Sequence, residues 1–354
     1  MKFRNRTFVR IILLSGSLLL STLACRAATN LVFPSTPTPF PTNTPTPLPP
    51  TLTPTPDANA ACSSLLAKIM DVAVSGGGSG LGHAGSTESS PNRDNESTPL
   101  VSYRVTGNEI GDPYYRAIPV ALRSEQRDTV TQQKIWNYFT ELIPADQRSM
   151  LVEYDVMTDG PENLLAAVTQ AYQPDEWALE VDIADSKDTY NLTYTLVHEF
   201  GHLLTLNANQ VTPSEAIFKH PKNDSIYAKE EAACPQYFPG EGCSKLNSYI
   251  NEFYQGYWTS IYDEWSAIDQ EQDDDAYYKK LEAFYKKYRS QFVTDYAATS
   301  PEEDIAESWS FFILSPKPTG NSIADQKVLF FYNYPELVQL RATILNNLCT
   351  DFPK

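Results

Sequence analysis

Thr195-Leu-Val-His198-Glu199-Phe-Gly-His202-Leu-Leu204 is the stretch from which the rest of the chain is best read. His198 and His202 stand four residues apart, so on a helix both imidazoles leave the same face, one turn above the other. That spacing lets two ring nitrogens reach one Zn²⁺ at about 2.0–2.1 Å. Glu199 projects beside the pair, where a carboxylate can take a proton from metal-bound water. Histidine is scarce, with only His83, His198, His202 and His220 in 354 residues. A chance His-Glu-x-x-His in such a chain has odds on the order of 1%.

A catalytic zinc needs a third protein ligand and one open position. No further histidine or aspartate follows closely: Leu203 to Gln210 contains neither, and the next Asp is Asp224. Met1, Met70, Met150 and Met157 all precede the motif, so no methionine turn can follow it. The metzincin arrangement and its aspartate variant are thereby excluded. A carboxylate from a later helix remains, and the candidates are Glu215, Glu230, Glu231, Glu302, Glu303 and Glu307. Glu230 and Glu231 sit in loop-like sequence and read as solvated charges. The segment Tyr296-Ala-Ala-Thr-Ser-Pro-Glu-Glu303-Asp-Ile-Ala-Glu307 differs. Ser300 can cap a helix that has Pro301 at its first position, and Glu303 and Glu307 then share one face. A carboxylate with a second one a turn later suits a ligand and a partner that orients the ligand set.

His-Glu-Phe-Gly-His followed by Tyr-x6-Glu-x3-Glu resembles the gluzincin metallopeptidases, in particular the catalytic domain of anthrax lethal factor. The resemblance implies a zincin-like α+β fold, in which a small mixed sheet, a backing helix and the motif helix precede a helical C-terminal lobe. It implies one catalytic Zn²⁺ held by His198, His202 and Glu303, with Glu199 as general base. Tyr296 would stabilise the oxyanion, and Glu307 would orient a ligand histidine. The substrate would be a peptide or protein. The resemblance covers two motifs, and the roughly 93-residue stretch between Thr205 and Ala297 is much longer than its counterpart in lethal factor. Other readings are a catalytically silent zincin fold that only binds a partner, and an interaction module of the cell envelope.

The hydrophobic pattern supplies the remaining elements. Ala61 to Ala73 is weakly helical, and Ser75 to Ser97 is dense in Gly, Ser, Asn and Pro. The latter reads as part of a mobile loop over about 74–98 that contains an exposed His83. Strands are expected at Val101–Val105, Tyr114–Val120 and Leu151–Val156, with a helix over Thr129–Leu142. Leu164–Tyr172 is open between strand and helix. Trp177–Ile183 alternates as a strand with one solvated face, and is expected to be the sheet edge on which a peptide lies. Helices are expected over Tyr190 to about Asn207, Ser248–Gln270, Asp274–Thr294, Pro301–Leu314 and Tyr334–Leu348. This is a mixed N-terminal lobe over about 99–207 and a helical lobe over about 208–354. His220 lies among turn residues and reads as exposed. The acidic run from Asp269 to Asp275 reads as a solvated turn, without the glycine and terminal Glu of a calcium loop.

The first 61 residues stand apart. Lys2, Arg4, Arg6 and Arg10 precede an apolar run over Ile11–Leu20, too short for a membrane span of about 20 residues. With Ser21-Thr-Leu-Ala-Cys25 it resembles a bacterial lipoprotein signal over residues 1–24. Cys25 would then carry the lipid and anchor an exported chain to a membrane. Ten prolines between Pro34 and Pro56 make residues 25–61 an extended spacer. Lipidation of Cys25 would leave Cys62, Cys234, Cys243 and Cys349, for which the favoured pairing is Cys234 with Cys243 and Cys62 with Cys349. The formal charge is −17, and removing residues 1–24 takes away four positive charges and no negative ones, leaving −21. Such an acidic chain is a poor partner for nucleic acid, and its surface mildly favours basic substrates. A monomer is expected.

Overall fold

The N-terminal lobe is organised by rows of side chains that run across four strands. The structure is a computed structural model that describes residues 58–75, 97–160 and 165–352, all within one compact unit. The signal segment, Cys25, His83 and most of the spacer and of the Gly/Ser-rich segment lie outside the described residues. Helix α1 (Ala58–Ser75) opens the described chain, so the last four residues assigned to the spacer are helical. Strand β1 (Thr98–Thr106) turns through Gly107-Asn108 into β2 (Glu109–Ile110). Gly107 has φ of 62°, which glycine adopts without steric cost. Strand β3 (Tyr114–Tyr115) pairs with β1 and stops there. The longer strand expected to Val120 is not formed, because Pro119 lacks an N–H and the chain turns into a short 3₁₀ segment at Val120–Leu122.

After the one-turn helix α2 (Arg123–Gln126) come α3 (Thr129–Leu142), β4 (Leu151–Thr158), β5 (Ala166–Gln170) and β6 (Trp177–Asp182). The sheet order is β2-β1-β4-β6-β5; β4 and β6 run parallel and the other pairs antiparallel. Tyr103, Tyr154, Leu179 and Val168 align across β1, β4, β6 and β5, as do Val101, Val156, Val181 and Ala166. All eight are buried. Trp136 of α3 packs on Tyr154 with ring centroids 5.3 Å apart, so this face carries the core.

One expectation is overturned here. Trp177–Ile183 is no edge: β6 lies between β4 and β5, and five of its six residues are buried. One edge is β5, from the segment whose type the sequence left open, and the other is formed by β2 and β3 beside β1. An alternating pattern specifies the strand's faces but says nothing about its neighbours in the sheet.

Helix α4 (Thr189–Leu206) starts at Asp188, whose side chain accepts the N–H groups of Tyr190 and Asn191. It ends at Asn207, whose amide donates to the Leu203 and Leu204 carbonyls at 2.7 and 3.0 Å. Thirteen of its eighteen residues are buried, as expected of a helix enclosed on several sides. Tyr138 of α3 and Thr193 of α4 share a 2.6 Å hydrogen bond, which places α3 behind it.

The remaining elements are β7 (Val211–Pro213), α5 (Glu215–Lys219), α6 (Asp224–Ala233), β8 (Gly242–Ser244), α7 (Tyr249–Tyr257), α8 (Tyr262–Asp269), α9 (Asp274–Tyr288), α10 (Pro301–Leu314), α11 (Ile323–Phe330) and α12 (Pro335–Asp351). The C-terminal lobe is thus not wholly helical, since β7 and β8 form a two-stranded antiparallel ribbon. The single helix expected over Ser248–Gln270 is broken at Trp258–Ile261. There Trp258 turns inward and its Nε1–H donates to Asp304 Oδ2 at 2.7 Å. The helix expected to Thr294 ends at Tyr288. Disulfides join Cys62 to Cys349 and Cys234 to Cys243, the favoured pairing. They suggest an oxidising environment. No helix among the described residues is long and apolar enough to cross a membrane. A small mixed sheet with many helices is compatible with the α+β class.

Candidate metal centre

Helices α4 and α10 meet closely because Gly201 has no side chain. A Cβ there would lie 3.0 Å from Trp309 Cδ1 and 3.1 Å from Ala306 Cα. The Gly inside the His-Glu-Phe-Gly-His stretch thus sets the separation of the two helices. Helix α10 begins as its sequence dictates: Ser300 Oγ accepts the Glu303 N–H at 3.1 Å and Pro301 occupies the first turn. Glu303 and Glu307 then face α4, one turn apart.

Three atoms converge between the helices. His198 Nε2 lies 3.1 Å from His202 Nε2 and 3.0 Å from Glu303 Oε2, and His202 Nε2 lies 3.3 Å from the same oxygen. Behind them, His198 Nδ1 meets Glu307 Oε1 at 2.9 Å. A carboxylate oxygen accepts, so Nδ1 carries the hydrogen and the Nε2 lone pair is left for the triangle. Two ring nitrogens and a carboxylate oxygen at such distances need a proton or a cation among them. Glu199, buried like both histidines, brings a carboxylate oxygen within 4.8 Å of their nitrogens. This buried His-Glu-His group can hold a metal ion.

The electrostatics agree with that geometry. Burial alone would push the His198 imidazole down, but the Glu303 and Glu307 carboxylates hold it well above its ordinary value. Burial would raise the Glu303 carboxyl, yet the two imidazoles hold it well below. Tyr296 is half-buried, its ring 5.9 Å from that of His198. Burial, then the charges of Glu303, Glu199 and Glu307 and a hydrogen bond to the Glu303 carboxylate, push its phenol far up, so it stays protonated and able to donate. His202 Nδ1 is buried without a hydrogen-bond partner among the described residues.

All six residues of the expected site, His198, Glu199, His202, Tyr296, Glu303 and Glu307, are therefore neighbours. The other glutamates are elsewhere. Glu215 is exposed and pairs with Lys219 at 2.8 Å. Glu230 lies in α6, where it accepts from Ser214, and Glu231 is exposed on the same helix. Glu302 is buried but turns away to accept the Tyr237 hydroxyl at 2.5 Å, and burial pushes its carboxyl up to about 7. His220 is exposed at the end of α5.

Two participants were not foreseen. Tyr194 donates to Glu307 Oε2 at 2.9 Å, and Thr294 donates to the same oxygen at 2.5 Å. Tyr194 had a signal, one helical turn before His198 on the same face. Thr294 had none, since it sits in irregular chain outside both motifs. A second carboxylate group, Asp159, Asp182 and Asp185, also lies within 4.8 Å of itself. Asp182 there accepts the N–H groups of Asp159 and Ala184 at 2.8 and 2.7 Å, which anchors the turn ahead of α4.

No protein-family model matches the chain, and no curated protein and no solved structure is similar enough to be matched with it.

Proposed function

We propose that this chain is an exported zinc-dependent endopeptidase of gluzincin type on a zincin-like fold, anchored to a membrane by a lipid on Cys25. The observation that carries the reading is the triangle formed by His198 Nε2, His202 Nε2 and Glu303 Oε2. Its edges of 3.0–3.3 Å are close to the separation of about 3.3 Å expected between tetrahedral ligands of one Zn²⁺ with bonds near 2.05 Å. Two imidazoles and a carboxylate are also the donor set of catalytic rather than structural zinc, which favours zinc over calcium or magnesium.

His198, His202 and Glu303 would hold the ion, which when bound supplies Lewis acidity at neutral pH. Glu199 takes a proton from the attacking water on its carboxylate and returns it to the leaving amine nitrogen. The Tyr296 hydroxyl donates to the carbonyl oxygen as negative charge develops there, and its strongly raised pKa keeps that proton in place. Glu307 holds the Nδ1 proton of His198 and so fixes the ring that presents Nε2. Among the described residues, edge strand β5, not β6, has a side without a paired strand, which suits an extended peptide.

Metal content and peptide cleavage of the purified chain and its Glu199→Ala variant test this reading. The chain is expected to carry about one zinc per molecule and to cleave members of a peptide library. The variant should keep zinc and lose cleavage by at least about 100-fold. Correctly folded protein without zinc would falsify the reading, and cleavage that survives Glu199→Ala would remove the assigned base.

A further inference from the structure

Thr294 lies in neither motif, yet its hydroxyl joins both halves of the site. Its Oγ1 accepts the backbone N–H of Ala297 at 3.1 Å and donates its only hydrogen to Glu307 Oε2 at 2.5 Å. Ala297 follows Tyr296 directly, within the 3₁₀ turn Tyr296–Ala298. Glu307 in turn receives the Nδ1–H of His198 at 2.9 Å on its other oxygen. One hydroxyl thus ties the turn that carries the phenol to the carboxylate that orients the histidine. Tyr194 donates to the same Glu307 oxygen at 2.9 Å, and among the hydrogen bonds described none joins its hydroxyl to the Tyr296 turn. It provides an internal control for the Glu307 contact alone.

We propose that Thr294 is a positioning residue that couples the placement of Tyr296 to the His198–Glu307 pair, so that phenol and ligand set are held as one unit. The proposal rests on the zinc peptidase reading above. With the hydroxyl removed, Glu307 keeps Tyr194 and His198, while the Tyr296 turn loses its only side-chain tie to that carboxylate among the hydrogen bonds described. Two effects follow: a modest loosening of the ligand set, and a larger loss in the step that needs the phenol.

The test uses the full chain with Thr294→Val, Thr294→Ser and Tyr194→Phe, each checked for folding by thermal unfolding. Zinc affinity is read by competition with a chromogenic chelator, and kcat and KM on a cleaved peptide. Thr294→Val is expected to weaken zinc by about 10-fold, within the range for outer partners of metal ligands. It should lower kcat by about 10–100-fold with KM within twofold, and Thr294→Ser should restore both to within about threefold. Tyr194→Phe should weaken zinc comparably and, at saturating zinc, lower kcat by less than about a third of the fold-change seen for Thr294→Val. In a Tyr296→Phe background, Thr294→Val should cost no further kcat, because both changes remove the same contribution. If Thr294→Val does not fold, Thr294→Ala takes its place against the same Ser rescue. Additive losses in the double variant, or a Ser variant that fails to recover, would overturn the proposal. Should the wild type bind zinc but cleave no peptide, the peptidase reading fails alone, and Thr294 is judged on zinc affinity and its rescue by Ser. Should the wild type bind no zinc, both fall together.

Discussion

Helix α10 buries acidic side chains on two sides, and each side meets basic partners differently. Toward α11, Asp304 meets Lys327 at 2.5 Å, both fully buried, with Trp258 Nε1–H donating to the same carboxylate oxygen. Phe292 lies under the ammonium, 4.2 Å from it to the ring centroid. One carboxylate faces one ammonium, and the charges close on each other. Toward α4, Glu303 and Glu307 face two imidazoles, and His198 Nε2, His202 Nε2 and Glu303 Oε2 converge to within 3.0–3.3 Å of one another. The first side is an ion pair that holds two helices together. The second brings together atoms that can hold a metal ion. Buried charge alone does not mark a site, whereas convergence of several ring nitrogens and carboxylate oxygens at one place points to one.

Removing the closed pair's cation should have the largest effect on stability. Lys327→Met leaves Asp304 buried without its partner, and burial already pushes that carboxyl up to about 6. The expected loss is about 3–5 kcal/mol by urea unfolding, most of it recovered in the Asp304→Asn/Lys327→Met double variant. Zinc content of the folded fraction should stay near one per chain, and a fall would show that the two sides of α10 are not separate. On the other side, Glu303→Ala should weaken zinc by more than about 100-fold, beyond the range of outer partners, while Glu215→Ala leaves it unchanged. The reverse pattern in metal content would transfer the third ligand to Glu215.

Gly201→Ala probes the separation of the helices. The added methyl would press on Trp309 and Ala306 at 3.0–3.1 Å, with an expected cost of about 1–3 kcal/mol. Zinc affinity should fall with it, because Glu303 moves away from the histidines; unchanged affinity with full stability would show that α4 and α10 tolerate the shift.

The smallest effect lies on the outer sheet face, where Asp155 pairs in register with Glu180 and Ser102. Burial, and then the charges of Glu153 and Glu180, outweigh the Ser102 hydroxyl and the Arg116 charge and push its carboxyl up to about 6. A carboxyl raised in the folded state favours folding while protonated, so its contribution is present near pH 4 and lost as pH rises through about 6. Asp155→Asn should therefore stabilise the fold by about 1–2 kcal/mol at pH 7 relative to its effect at pH 4, as read by urea unfolding at both values. An equal effect at the two pH values would show that Asp155 is not the titrating group.

Legibility followed the range of the interactions. The starts of α3 and α10 match the expected residues, because Asp128 and Ser300 cap them through bonds to residues three positions on. α11 was not expected: Ser322 and Asp325 cap each other's backbone, but its short apolar pattern concealed that signal. The turn before α9 is solvated as the acidic run implies, with Glu271 paired to Lys280. The split of Ser248–Gln270 was invisible, because Trp258 leaves the helix for Asp304, a partner 46 residues away. The internal position of β6 was invisible for the same reason: a strand's neighbours are chosen by pairing across the sheet.

The sequence by itself determined that His198, Glu199 and His202 stand on one helix, that Glu303 and Glu307 share a face of another, and that the four described cysteines could close two loops. Those are matters of spacing along the chain. That Glu303, rather than Glu302 or Glu215, meets the histidines was decided by tertiary packing, where Gly201 lets α10 lie against α4. Packing also decided that Glu302 turns to Tyr237, that β5 rather than β6 lies at an edge of the sheet, and that Thr294 reaches Glu307. Local spacing fixes directions within an element, but only packing fixes which elements face each other.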